Sequence, residues 1–119
     1  MSWTSYRDAP APGTILAQSD EVPPGGTKTL TLGAFPVLLA RGAAGLRAFV
    51  NACPHQFLPL DHKGDRLLSA DGATLRCTNH SAGFDAATGE GTEGLGQGCA
   101  LDEIPVAETD GAIRVAVEA

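Results

Sequence analysis

Fifteen glycines and eight prolines break this chain into short pieces, and no segment sustains an apolar 3.6-residue period long enough for a helix. The chain therefore reads as all-β. Candidate strands are Thr27 to Leu32, Pro36 to Arg41, Leu46 to Asn51, Arg66 to Ser69, Thr74 to Cys77, Ile104 to Ala107 and Ala112 to Val117. Asp71-Gly72 and Asp110-Gly111 lie between such runs and suit type I′ hairpin turns, whose two central residues both need positive φ. The segment Met1 to Gly26, with Pro10, Pro12, Pro23 and Pro24, reads as looser. With 119 residues, 43% of them hydrophobic, the chain is long enough for one core and too short for two ordinary domains. No repeat or linker divides it, so one domain over residues 1–119 is expected.

Two segments carry chemistry: Cys53-Pro54-His55 and Cys77-Thr78-Asn79-His80. Each offers one thiol and one imidazole. Two such loops facing each other could hold one tetrahedral zinc ion, the commonest use of this donor set, or an iron–sulfur cluster with thiolates on one iron and imidazoles on the other. Spacing alone leaves both open.

The flanking residues separate the two. The first segment continues as Gln56-Phe57-Leu58-Pro59-Leu60, and the second as Ser81-Ala82-Gly83-Phe84-Asp85, with Thr88-Gly89 and Ile104-Pro105-Val106 further on. From about Val37 to Val117 the chain resembles the Rieske [2Fe–2S] family, specifically its small soluble ferredoxins. The resemblance implies an antiparallel β-sandwich or barrel with a cluster-binding subdomain of two loops, within about residues 51–100. It further implies one [2Fe–2S] cluster per chain, with Cys53 and Cys77 on the inner iron and His55 and His80 on the outer iron, toward solvent. Neutral imidazoles in place of two thiolates make such a cluster less negative and easier to reduce.

The chain departs from the family pattern at several places. Phe57 and Ser81 stand where the family usually has glycine, and a side chain there restricts positive φ and close approach of the backbone to sulfide. The twenty-one residues between His55 and Cys77 are a few more than usual, and Lys63-Gly64-Asp65 and Asp71-Gly72 can absorb them as surface hairpin. The family's proline-bearing loop corresponds to Gly94 to Ala100, which has no proline, so a more mobile loop is expected there. High-potential relatives bridge the two ligand loops with a disulfide and donate serine and tyrosine hydroxyls to the cluster. The matching positions here are Leu58 and Asn79 for the cysteines, and Ala82 and Phe84 for the hydroxyls.

Other notable residues have plainer readings. Cys99 reads as a small packing residue in a glycine-rich loop, His62 as a solvated loop residue, and Trp3 and Tyr6 as core or edge packing. Asp61, Asp65, Asp85, Glu90, Glu93, Asp102 and Glu103 serve solubility or docking.

The formal charge of −6, with eight Lys and Arg scattered singly, argues against nucleic acid and anionic membrane as partners. No apolar run approaches bilayer length, and the start lacks a basic then apolar export signal, so a cytoplasmic location is expected. The expected function is single-electron transfer by a monomeric carrier, between a flavoprotein reductase and a terminal oxygenase or similar redox protein, with no catalysis of its own. Two alternatives remain: the Rieske small subunit or accessory domain of a larger reductase such as nitrite reductase, and a zinc-stabilised interaction module.

Overall fold

Val37, Leu38, Leu39 and Ala40 follow one another and are all buried, so the strand that carries them is covered on both faces. That strand organises the protein. The computed structural model describes residues 3–6, 8–43, 45–51, 68–69, 72–76, 83–93 and 100–116. The strands are β1 (Ile15–Gln18), β2 (Thr27–Leu32), β3 (Phe35–Gly42), β4 (Gly45–Val50), β5 (Thr74–Arg76), β6 (Gly83–Asp85), β7 (Gly91–Glu93), β8 (Glu103–Ile104), β9 (Val106–Thr109) and β10 (Ala112–Val115). All pairings among them are antiparallel, in three sheets ordered β1-β10-β9, β2-β3-β4-β8 and β5-β6-β7.

Alternation along β3 and β4 sorts the core into two layers. Phe35, Val37 and Leu39 of β3, with Ala48 and Val50 of β4, pack against Leu16, Ala17, Ile113 and Val115 of the first sheet. Leu38, Ala40 and Phe49 point the other way and pack against Leu75, Phe84, Ala86 and Leu101. The second sheet is thus the middle of three layers. Phe35, Phe49 and Phe84 are fully buried, and burying such a side chain stabilises the fold by about 1.5–3 kcal/mol.

The expected all-β fold is the one observed, with β2 at its expected bounds and β3 and β4 within a residue or so of theirs. Asp110 (φ 52°) and Gly111 (φ 75°) join Thr109 to Ala112 with the two positive φ values that a type I′ turn requires. At the other expected turn Gly72 has φ 71°, while Asp71 lies outside the described residues. Of the expected strand Arg66 to Ser69, Leu68 and Ser69 are described, and Leu68 bridges Leu75. Cys77 and Val117, expected as strand ends, lie outside the described residues.

Three differences have physical causes. The amino-terminal segment is not loose: it contains β1, and Trp3, Leu16, Ala17 and Val22 are buried in the main core. The register of β1 on β10 shifts between Ile15 and Ala17, so neighbouring Leu16 and Ala17 are both buried and the period-2 signal of a strand is lost. The run Ile104 to Ala107 is not one strand. Pro105 has no N–H to donate, and there the chain leaves β4, which β8 pairs, for β10, which β9 pairs. Finally, β6 and β7 are three-residue strands beginning with glycine, defined by their pairing and not by any local pattern.

Candidate metal centre

Arg76, the last residue of β5, pairs with Gly83, the first of β6, and Gly83 pairs in turn with Glu93, the last of β7. Segments 77–82 and 94–99 therefore both leave the third sheet at one end. Leu68 bridges Leu75 in the antiparallel sense, and the Ser69 N–H donates to the Thr74 carbonyl at 2.8 Å, so segment 52–67 rejoins the sheet beside Arg76 at that same end. Cys53 and His55 belong to segment 52–67, Cys77 and His80 to 77–82, and Cys99 to 94–99. These five residues, with Phe57, His62, Ser81 and Ala82, lie outside the described residues; what shares one sheet end is Arg76, Gly83, Glu93 and, beside them, Leu68.

The launch point of segment 52–67 is fixed by backbone hydrogen bonds. The Val50 N–H donates to the Asp102 carbonyl at 2.9 Å, and the Asn51 N–H to the Pro36 carbonyl at 3.1 Å. Asn51 is buried, two residues before Cys53. Asp102 is held from a second side: the Tyr6 hydroxyl donates to its Oδ2 at 2.7 Å, across 96 positions of sequence. The Tyr6 ring stands edge-on to Phe35, with centroids 6.0 Å apart. Burial, and then the hydrogen bond to and negative charge of Asp102, push the Tyr6 pKa up to about 12. Trp3 is buried as expected, whereas Tyr6 packs and also bonds, a role its sequence context does not announce.

Beneath Leu101 the chain needs glycine. Gly89 has φ 82°, and a Cβ there would come within 2.9 Å of both the Leu101 carbonyl and the Phe49 ring. The turn between β6 and β7 that carries Gly89 is held by Asp85, whose Oδ1 accepts from the N–H groups of Ala87 at 2.7 Å and Thr88 at 3.3 Å. Asp85 is thus a turn residue. Among the other acidic residues considered for docking, Glu90 and Glu103 are exposed, and Asp61 and Asp65 lie outside the described residues.

Among the described residues no three His, Cys, Asp or Glu gather as metal ligands, and no helix is long and apolar enough to cross a membrane. The donor set outside them fits a mixed-ligand [2Fe–2S] cluster: two thiols and two imidazoles, one of each in each of two segments anchored at one sheet end.

Comparison with known proteins bears on the fold and the family. Among curated proteins none matches the chain. Solved structures do. The ferredoxin of carbazole 1,9a-dioxygenase from Nocardioides aromaticivorans IC177 superposes with a TM-score of 0.74 at 22% identity, over 91% of this chain and 100% of that one. The ferredoxin of Sphingomonas yanoikuyae B1 gives 0.73 at 20% identity, over 89% and 99%. A complex of reduced oxygenase and oxidised ferredoxin in carbazole 1,9a-dioxygenase contains a chain that gives 0.71 at 21% identity, over 87% and 100%. At these identities the likeness is one of fold. The family model of the Rieske [2Fe-2S] domain matches residues 14–105, which is most of the chain. The chain belongs to the Rieske [2Fe-2S] domain family, and that membership implies a [2Fe–2S] cluster.

Proposed function

We propose that residues 1–119 form a single Rieske domain, with its cluster-binding part at about 51–100, that carries single electrons from a flavoprotein reductase to a terminal oxygenase or similar acceptor. Cys53 and Cys77 would hold the inner iron and His55 and His80 the outer iron of one cluster per chain. When bound, the cluster supplies a site that accepts and releases one electron. The polypeptide's part is to bind, orient and shield. The third sheet anchors both donor segments, and Leu75, Phe84 and Leu101 place an apolar layer behind that sheet. Stiff strands carrying functional loops are the usual division of labour.

The observation that carries this reading is the register that sets Arg76, Gly83 and Glu93 at one sheet end, where 52–67 also rejoins. A carrier role is supported by ferredoxins of similar fold and nearly equal length, one of them solved in complex with its oxygenase. A monomer in the cytoplasm fits this reading.

The test is metal and sulfide analysis of anaerobically prepared protein. Two irons and two labile sulfides per chain are expected, with uptake of one electron giving the electron-spin signal of a mixed-ligand cluster. Stoichiometric zinc without sulfide would instead establish the zinc-stabilised module.

A further inference from the structure

Tyr6 and Asp102 meet at 2.7 Å from opposite ends of the chain, and Asp102 is also the residue whose carbonyl holds Val50, the last residue of β4. Cys53 follows Val50 by three positions, so at about 3.6 Å per residue no more than roughly 11 Å of chain joins the first donor to that residue. On the other side of Asp102, Leu101 is buried with Phe49 and Phe84, and its N–H donates to the Gly89 carbonyl at 2.8 Å. Asp102 therefore sits between the strand that launches Cys53 and the layer that backs the third sheet. Its carboxylate is a fixed negative charge at that joint, and the Tyr6 hydroxyl both orients it and withdraws part of its charge.

We propose that Tyr6 is a positioning residue for the redox centre: through Asp102 it tunes the reduction potential, although it comes from the amino-terminal segment and belongs to neither ligand loop. This rests on the cluster reading above. Adding an electron makes the centre more negative, so a nearby carboxylate opposes reduction, and a hydrogen bond that partly neutralises the carboxylate eases it. Half-buried groups at such a joint are screened less by salt than an exposed pair.

The test compares wild type, Tyr6→Phe, Asp102→Asn and the double variant by protein-film voltammetry, with iron and sulfide content and the electron-spin spectrum measured on each. Tyr6→Phe keeps the ring against Phe35 and removes the donor, so its potential should fall. Asp102→Asn removes the charge and keeps an oxygen that can accept from Tyr6, so its potential should rise. In the Asp102→Asn background, Tyr6→Phe should shift the potential little. An unchanged potential in cluster-loaded Tyr6→Phe overturns the inference, as does an equal shift in both backgrounds, which would mean that Tyr6 acts by packing alone. Wild-type protein with zinc and no sulfide would overturn the cluster reading and this inference together, so the two failures are distinguishable.

Discussion

Phe84 stands opposite Leu75 across β5 and β6, and both side chains are fully buried between the second and third sheets. By the family resemblance, Phe84 corresponds to the tyrosine that in high-potential relatives donates to the cluster. Its ring has no hydroxyl to give, Ala82 has none either, and Leu58 and Asn79 cannot form the inter-loop disulfide. Hydrogen bonds to cluster sulfurs raise the potential by stabilising the reduced state, so a potential near the low end of the Rieske range, about −150 mV, is expected. Voltammetry near neutral pH checks it, and a value above about +100 mV would refute the argument. Ala82→Ser and Phe84→Tyr should each raise the potential. In Phe84→Tyr the new hydroxyl enters a buried layer and costs about 1–3 kcal/mol of stability unless it finds an acceptor.

Replacing His55 or His80 by Ala should leave the outer iron short of a ligand and abolish the mixed-ligand spectrum, because ligand number and loop order are coupled to metal binding. Electron-spin spectra of the two variants decide the ligand assignment. A variant with the wild-type spectrum would show that the histidine concerned is not a ligand.

Tyr6 is the only tyrosine, so the phenolate absorbance of the folded protein reports this group alone. Its pKa, raised from about 10 to about 12, means that the protonated hydroxyl is favoured in the folded state. The corresponding stabilisation is fully present below pH 10 and is lost as pH rises through 12. A spectrophotometric titration should therefore have its midpoint near 12, and denaturant midpoints should fall over that window in wild type but not through this group in Tyr6→Phe. A midpoint near 10 would show that the Tyr6 hydroxyl is neither buried nor bonded to Asp102 in solution.

Arg41 grips Glu108 with both terminal nitrogens, at 3.0 and 2.9 Å, while its Nε donates to the Val22 carbonyl at 2.6 Å. The guanidinium holds the Glu108 carboxyl below the usual glutamate pKa and is itself pushed up. A lowered carboxylate pKa contributes stability that is present above its unfolded value and lost as pH falls through the folded one. Since the pair is only partly covered, Glu108→Gln should cost roughly 0.2–1 kcal/mol at neutral pH. Urea melts should show the difference from wild type closing below about pH 4. A difference that persists undiminished in acid would assign the effect to packing.

The sequence by itself determined what local chemistry and alternation can express. The density of Gly and Pro excluded long helices, the runs Thr27 to Leu32 and Pro36 to Arg41 marked β2 and β3, and Asp110-Gly111 specified its turn. The paired thiol and imidazole segments, with their flanks, named the family that the domain match establishes. Only the tertiary structure decided the rest. β1 is visible only through its bulged pairing with β10, β6 and β7 only through the strand beside them, and the division at Pro105 only because two sheets compete for that run. The Tyr6–Asp102 bond and the Arg41–Glu108 pair join residues 96 and 67 positions apart, and no local pattern encodes a contact whose partners meet only after three layers of sheet have packed.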